Sequence, residues 1–457
     1  MDLAAALREV LPPGRVRTDP ETIEHHGRAI FTYHEPRPPE VVVFPESREE
    51  VVSVLRFANE HRVPVTPFGQ GSSLEGHTIP LEGGISLDLG RMDRILEIRP
   101  EDMVARVEPG VRRLALEAVL RGYGLFFPPD PGWDATIGGM TATNASGTNA
   151  LRYGAMRERV LGLEVVLADG RVIRTGGLAV KSSAGYNLTP LFVGSEGTLG
   201  VFTEITLRLQ PLLESAVAAR TTFHGIEDAG EAAVAVVRSV AGATRVELVD
   251  ARTVEAVNAY KGTSYEVAPT LFLEFAGSVE GAEADARRAE EICRRAGCLA
   301  FEAERDEAAR RRLWEARHEA ALAVAELYLG RLPMTTDVCV PISELAGALR
   351  HARRAIASRG MDGVILGHVG DGNYHAIFPV DPSDPEEKER ARRVVEEIVD
   401  YALERGGTCT GEHGVGYGKI DHLRREHPDT VPLMAQIKHL LDPAGILNPG
   451  KVVPPAG

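Results

Sequence analysis

The chain has 457 residues, 44% of them hydrophobic and 26% charged, enough for two or three domains of ordinary globular composition. Its 51 basic against 66 acidic residues give a net charge of −15, which argues against a surface that tracks nucleic-acid phosphates or an anionic membrane. Residues 1–10 lack the basic start and apolar run of a secretory signal, no stretch offers about 18 uninterrupted apolar residues for a membrane span, and Cys293, Cys298, Cys339 and Cys409 form no CxxC pair, so a cytoplasmic protein with reduced thiols is expected.

Residues 40 to about 211 alternate β-branched runs, helical patterns and glycine-rich loops. Ser47 and Glu50 predict a capping box for a helix with Val51, Val54, Leu55 and Ala58 on one stripe, and a strand follows at 63–68. Next comes Gly69-Gln70-Gly71-Ser72-Ser73-Leu74-Glu75-Gly76, whose successive backbone N–H groups suit phosphate oxygens. The spacing is not that of a Rossmann fingerprint, and the chain runs on to Pro80 instead of opening a helix. Two more small-residue tracts follow, at 136–147 with Thr136, Gly138, Gly139, Thr143 and Gly147, and at 194–200 with Glu196, Gly197 and Gly200. One such tract is more often a tight turn than a site, but three in one domain predict a backbone-lined slot for a large cofactor. Residues 163–167 and 171–173, around a turn at Asp169-Gly170, and the alternating run 204–210 predict strands.

From 216 to about 340 strands and helices alternate, with 270–275 the clearest central strand. That order suits a sheet covered by helices on one face, as in ferredoxin-like α+β domains. The acidic stretch 382–389 predicts a surface loop entering a helix at about 387–405. In between lies Gly367-His368-Val369-Gly370-Asp371-Gly372-Asn373-Tyr374-His375, where Asp371-Gly372 predicts a two-residue hairpin turn with 368 facing 375. Two histidines so opposed have Cβ atoms roughly 4.5–5.5 Å apart on one face, which suits two imidazoles on one divalent ion. Glu412 would be a third, hard ligand, and His413, projecting elsewhere, a general base. The alternative is a solvated hairpin with two ordinary histidines. The tail 445–451 mimics a Walker A motif but lacks the final Ser/Thr and contains Pro449, so it is set aside.

Residues 68–76, the 137–147 tract with Tyr153-Gly154, Glu196-Gly197-Thr198-Leu199-Gly200, and His368 to His375 with Glu412-His413 together resemble the FAD-dependent 2-hydroxyacid dehydrogenases of the vanillyl-alcohol-oxidase superfamily, especially the cytochrome-type D-lactate dehydrogenase and glycolate oxidase branches. The resemblance runs from about 38 to 451. It implies an α+β fold with a two-part FAD-binding domain (1–211, rejoined by 406–457) and a ferredoxin-like cap domain at 212–405 that carries the metal hairpin. It places non-covalent FAD on Gly69, Gln70, Gly71, Ser72, Ser73, Leu74, Thr136, Gly138, Gly139, Thr143, Gly147 and Tyr153, with Glu196, Gly197, Gly200 and Val201 near the adenine and Asn448 in the tail, and leaves His77 a bystander. It makes His368, His375 and Glu412 ligands of zinc or manganese, His413 the base, and Arg317 the partner of the substrate carboxylate. On sequence alone Arg317 reads as a solvated helix arginine.

The implied reaction is oxidation of a small 2-hydroxy acid by hydride transfer to FAD, with a cytochrome, quinone or flavoprotein as onward acceptor and room for a homodimer. Relatives that oxidise D-2-hydroxyglutarate hold the distal carboxylate with polar residues near the positions of Thr335 and Ile377, neither charged here, which favours a small or apolar side chain such as that of D-lactate. A metal-dependent hydrolase using His368, His375, Glu412 and His413 is the reading from a different class, and it leaves the three glycine tracts unexplained.

Overall fold

Ser47 caps the helix Arg48–His61 by accepting from the Glu50 amide at 3.3 Å, and Val51, Val54, Leu55, Phe57 and Ala58 are buried along it. The return half of the predicted capping box is absent: the Glu50 carboxylate pairs with Arg15 at 2.8 Å and accepts from the Glu46 amide at 2.9 Å, partners that outcompete the Ser47 backbone. The buried stripe packs on a four-stranded sheet in the order Val16–Arg17, Val41–Val43, Ile85–Asp88, Val65–Phe68, whose last three strands run parallel.

A computed structural model describes residues 1–29 and 32–454. They group into two units, one of Met1–Ser146, Gly154–Leu212 and Glu412–Gly457, the other of Gly147–Tyr153 and Leu213–Gly411. The chain thus re-enters the first unit at Glu412, six residues beyond the boundary expected at 406, and 147–153 groups with the second unit.

The first unit's second sheet has five antiparallel strands in the order Ile95–Arg99, Val104–Val107, Val201–Arg208, Val160–Val166, Val172–Gly176. The alternating run before Pro211 is its central strand, which explains why Thr203 and Thr206 are buried with their apolar neighbours. Residues 137–143 are helical where the glycines suggested irregular backbone: Thr136 Oγ1 accepts from the Gly139 amide at 3.2 Å, and the helix ends at left-handed Asn144. Gly138 is required there, since a Cβ would lie 2.6 Å from Pro109 Cβ.

The second unit is built on an eight-stranded sheet in the order Ala300–Glu304, Ser215–Thr222, Thr270–Gly277, Ala243–Val249, Val364–Gly367, Asn373–Val380, Leu332–Thr335, with Val338–Cys339 pairing beside Asn373–Val380. Thr270–Gly277 is interior, as its β-branched and aromatic run predicts. Helices Ile226–Ser239 and Val279–Arg295 lie against these strands, while Ala251–Lys261, Glu307–His318 and Ala320–Leu327 bury Leu313, Trp314, Ala316 and Ala323 with Ala218, Val249 and Phe272. The acidic stretch opens its helix at Pro385, because Asp384 accepts from the Glu386 and Glu387 amides and proline suits the first helical position. No helix among the described residues is long and apolar enough to cross a membrane.

Candidate active site

In the first unit the three glycine tracts converge. A Cβ on Gly69 would stand 2.5 Å from Thr136 Oγ1, so the first loop touches the start of Ile137–Thr143 only because glycine is there. The third tract is tied to the same helix: the Gly194 amide donates to Thr141 O at 3.0 Å and the Glu196 amide to Ala142 O at 2.8 Å. Gln70, Ser72, Ser73, Leu74, Gly139, Thr143, Gly197 and Gly200 belong to these tracts and Val201 opens the strand that follows the third, whereas Gly147 and Tyr153 lie in the segment that groups with the second unit. The hydroxyls of Ser73, Thr78 and Ser195 are buried without a protein partner among the described residues. Buried hydroxyls without a protein partner, set among glycine-rich backbone, are what a phosphate-bearing, polar cofactor needs, and FAD fits them.

Glu196 and Asn448 act through side chains turned to the protein. The Glu196 carboxylate accepts from the Val415 and Gly416 amides at 2.7 and 2.8 Å, and Asn448 Nδ2 donates to His77 O at 3.0 Å and Glu196 O at 2.8 Å. His77 is buried, with Nε2 3.2 Å from Glu196 Oε2.

Also in the first unit, Glu412 Oε2 accepts from Ser146 Oγ at 2.7 Å, and His413 Nδ1 is 4.0 Å from Glu75 Oε1. Glu75 is buried, with Lys419 Nζ at 3.1 Å and His34 Nε2 at 3.8 Å. Burial opposes its charge, but the Lys419 ammonium and the neighbouring histidines outweigh burial and hold the carboxyl down at about 2. Beside His413 there is therefore a fixed negative charge, suited to stabilise the imidazolium that a base becomes.

In the second unit the hairpin differs from its prediction. Leu366, not His368, stands opposite His375, and residues 368–372 form a five-residue loop. The loop's backbone is taken by two other neighbours: the Gly370 amide donates to Val246 O at 2.9 Å, and Gly372 O accepts from the Val340 amide at 3.0 Å. A shift of two residues preserves the face. The His368 and His375 rings stand edge to face with centroids 5.8 Å apart.

His368 Nδ1 lies 2.9 Å from both oxygens of Glu247, and Arg317 Nη2 donates to Glu247 Oε2 at 2.5 Å. Arg317 is buried, not solvated, and its Nε has no protein partner among the described residues. Burial opposes ionisation of Glu247, yet His368 and Arg317 hold its carboxyl below the usual range. His375 Nδ1 is 3.5 Å from Asp337 Oδ1, and buried Asp337 accepts from Asn373 Nδ2 at 2.9 Å and Thr410 Oγ1 at 2.8 Å. With Nδ1 facing a carboxylate, Glu247 for His368 and Asp337 for His375, the two imidazoles are oriented as metal-ligand histidines are, and imidazole is a donor that fits a divalent ion.

Glu247 and Asp337 were not singled out from the sequence. The available signal was an acid within or just before an apolar run, Val246-Glu247-Leu248-Val249 and Asp337-Val338-Cys339-Val340, since a buried carboxylate needs a partner.

The fold and the cradle define an α+β enzyme that holds a large phosphate-bearing cofactor. Family models for the FAD-linked oxidase C-terminal domain and the FAD-binding domain match residues 212–452 and 39–176, and the chain belongs to the FAD-linked oxidases. It is 46% identical to a probable mitochondrial D-lactate dehydrogenase of Danio rerio over 94% of this chain and 87% of that one, and 41% identical to the mitochondrial D-lactate dehydrogenase [cytochrome] of Arabidopsis thaliana over 99% and 80%. Glycolate oxidase subunit GlcD of Bacillus subtilis is 36% identical over 93% of this chain and 92% of its own. Among solved structures, p-cresol methylhydroxylase superposes with a TM-score of 0.82 at 20% identity, covering 98% of this chain and 96% of that one. The 4-ethylphenol oxidase of Gulosibacter chungangensis gives 0.80 at 21%, covering 99% and 97%. At such identities these two establish the fold, which is the α+β architecture with FAD-binding and cap domains.

Proposed function

We propose that the protein oxidises a small D-2-hydroxy acid of the D-lactate type to the 2-oxo acid, with non-covalent FAD and a divalent zinc or manganese ion on His368, His375 and Glu412. The observation that carries the reading is the pairing, in an FAD-linked oxidase, of two face-sharing imidazoles with a buried arginine whose Nε lacks a protein partner among the described residues. The D-lactate dehydrogenase relatives support it. FAD supplies the hydride acceptor, and the metal supplies the Lewis acidity that makes a hydroxyl easier to deprotonate. Arg317 Nε donates to the substrate carboxylate while Nη2 stays on Glu247. His413 takes the hydroxyl proton on its imidazole, and the ionised Glu75 stabilises the cation so formed. His77, buried against Glu196, takes no part in attaching the flavin.

Thr335 and Ile377 are register partners, and Ile377 shares the strand Asn373–Val380 and its face with His375. Neither offers a charge for a second carboxylate. Glycolate is the second reading, favoured by the likeness to the GlcD subunits, and it differs from lactate by one methyl group.

Anaerobic mixing of the yellow holoprotein with D-lactate, L-lactate, glycolate and D-2-hydroxyglutarate tests the proposal. D-lactate is expected to bleach the flavin fastest, and acid precipitation to leave the colour in the supernatant. Fastest reduction by D-2-hydroxyglutarate would refute the small-substrate reading, and a yellow pellet the non-covalent one.

A further inference from the structure

The strand Ala243–Val249 is held on both sides, by Thr270–Gly277 and by Val364–Gly367, and Glu247 stands on it opposite Phe272, 1% exposed. A carboxylate there cannot be explained as a surface charge turned inward. If its purpose were only to neutralise Arg317, one guanidinium contact would suffice; instead both of its oxygens are 2.9 Å from His368 Nδ1, and one of them also receives Arg317 Nη2. His368 lies in the five-residue loop 368–372, so its ring needs an anchor from outside the hairpin, and the rigid strand provides one.

We propose that Glu247 is the positioning residue of this centre: it locks the His368 imidazole in the Nδ1–H tautomer, so that Nε2 is the atom offered to a divalent cation, and with the same carboxylate aims the Arg317 guanidinium. The inference rests on the metal reading given above and deepens it. One carboxylate thereby sets the geometry of a metal-ligand imidazole and of a substrate-binding cation together. Arg317 in turn fixes the carboxylate, since its Nη2 contact holds Oε2 while His368 uses both oxygens. Glutamine at 247 would keep the shape and an acceptor for Arg317, but its amide can face His368 with either N or O, which releases the tautomer.

The test uses the full-length FAD-loaded protein, stripped of metal with a chelator and titrated with zinc or manganese against a chromophoric competitor. Glu247→Gln is expected to weaken the metal roughly 10–100-fold, the usual effect of losing such a partner, with flavin content unchanged and partial rescue in Glu247→Asp. Equal metal affinity in parent and Glu247→Gln overturns the proposal. A second readout needs no metal: ring 15N shifts of labelled histidine, assigned with His368→Gln, at a pH above the imidazole range. The parent should show His368 with Nδ1 protonated and Nε2 bare, and Glu247→Gln a mixture; an unchanged tautomer also overturns the proposal. If the parent binds neither cation but its tautomer depends on Glu247, the metal reading falls and the positioning role stands. Should Glu247→Gln fold poorly because Arg317 is left as a buried cation, the double variant with Arg317→Gln removes both charges and yields the same two measurements.

Discussion

His413 and Arg317 both stand near carboxylates, yet their surroundings give them different work. His413 Nδ1 sits 4.0 Å from an ionised Glu75, close enough to stabilise the imidazolium formed when it takes a proton. His413→Ala should keep FAD while slowing flavin reduction at saturating D-lactate by roughly 10² to 10⁴, the worth of a positioned base; stopped-flow absorbance reads this, and a parent-like rate would move the base elsewhere, with His318 next to test. Arg317→Ala should mainly raise the substrate concentration needed for half-maximal reduction, since a carboxylate contact exists already in the ground state. It should also lower thermal stability, because removing one partner of a buried pair costs about 3–5 kcal/mol. A variant with parent-like melting temperature and affinity would show that Arg317 serves neither role. The histidines and Glu412 were legible as candidates because they stand in distinctive glycine-rich contexts, whereas Arg317 became one only through the family resemblance. Glu247 and Asp337 were not, because a lone acid in a strand looks the same whether it points to water or to a buried imidazole.

Elements were more legible than their registers. The helix Arg48–His61 and the strand Thr270–Gly277 follow from capping and β-branched runs, which are local signals. The hairpin's existence was local too, but its loop was decided by Val246 and Val340, more than 30 residues distant along the chain in the second case and over 120 in the first. The two-residue turn was therefore overruled by tertiary hydrogen bonds, while the even shift kept both histidines on one face. Gly372 marks how tight that loop is: its φ is +86° and a Cβ would meet Val340 O at 2.1 Å. Gly372→Ala should destabilise the second unit by at least the ~1–3 kcal/mol of backbone strain and weaken metal retention, with FAD content unaltered. Gly262→Ala is the control, with φ of +66° and open space around the added methyl, and should lower the melting temperature less. Equal shifts in the two variants would mean that the Val340 contact is unimportant.

At the scale of the whole molecule the chain leaves the first unit after Leu212 and returns at Glu412, so the segment that brings Glu412 and His413 also completes the flavin-binding unit. The return is pinned by Glu196 and Asn448, as described, and by Lys451, whose Nζ donates to Ile79 O at 2.7 Å, His77 O at 3.1 Å and Asn448 Oδ1 at 3.2 Å. The sequence showed a glycine-rich tail resembling a phosphate loop; that it closes onto residues more than 370 positions earlier is a tertiary fact with no local signature. Lys451 is also a test of how this closure depends on pH. Burial pushes its ammonium down from 10.5 to about 7, with Glu196 opposing, whereas three oxygens around Nζ match the three donors of the charged form. If burial wins, the folded protein releases the proton near pH 7 and the unfolded chain keeps it to about 10.5, so across that window the unfolded state binds more protons and stability rises with pH. Below about 7 both states are protonated and the contribution is constant. Urea unfolding of the parent should then gain stability between pH 7 and 10 relative to Lys451→Met, which has no proton to release. Parallel curves for the two proteins would show that the three-oxygen cradle keeps Lys451 charged and that its hold on the returning segment does not vary with pH.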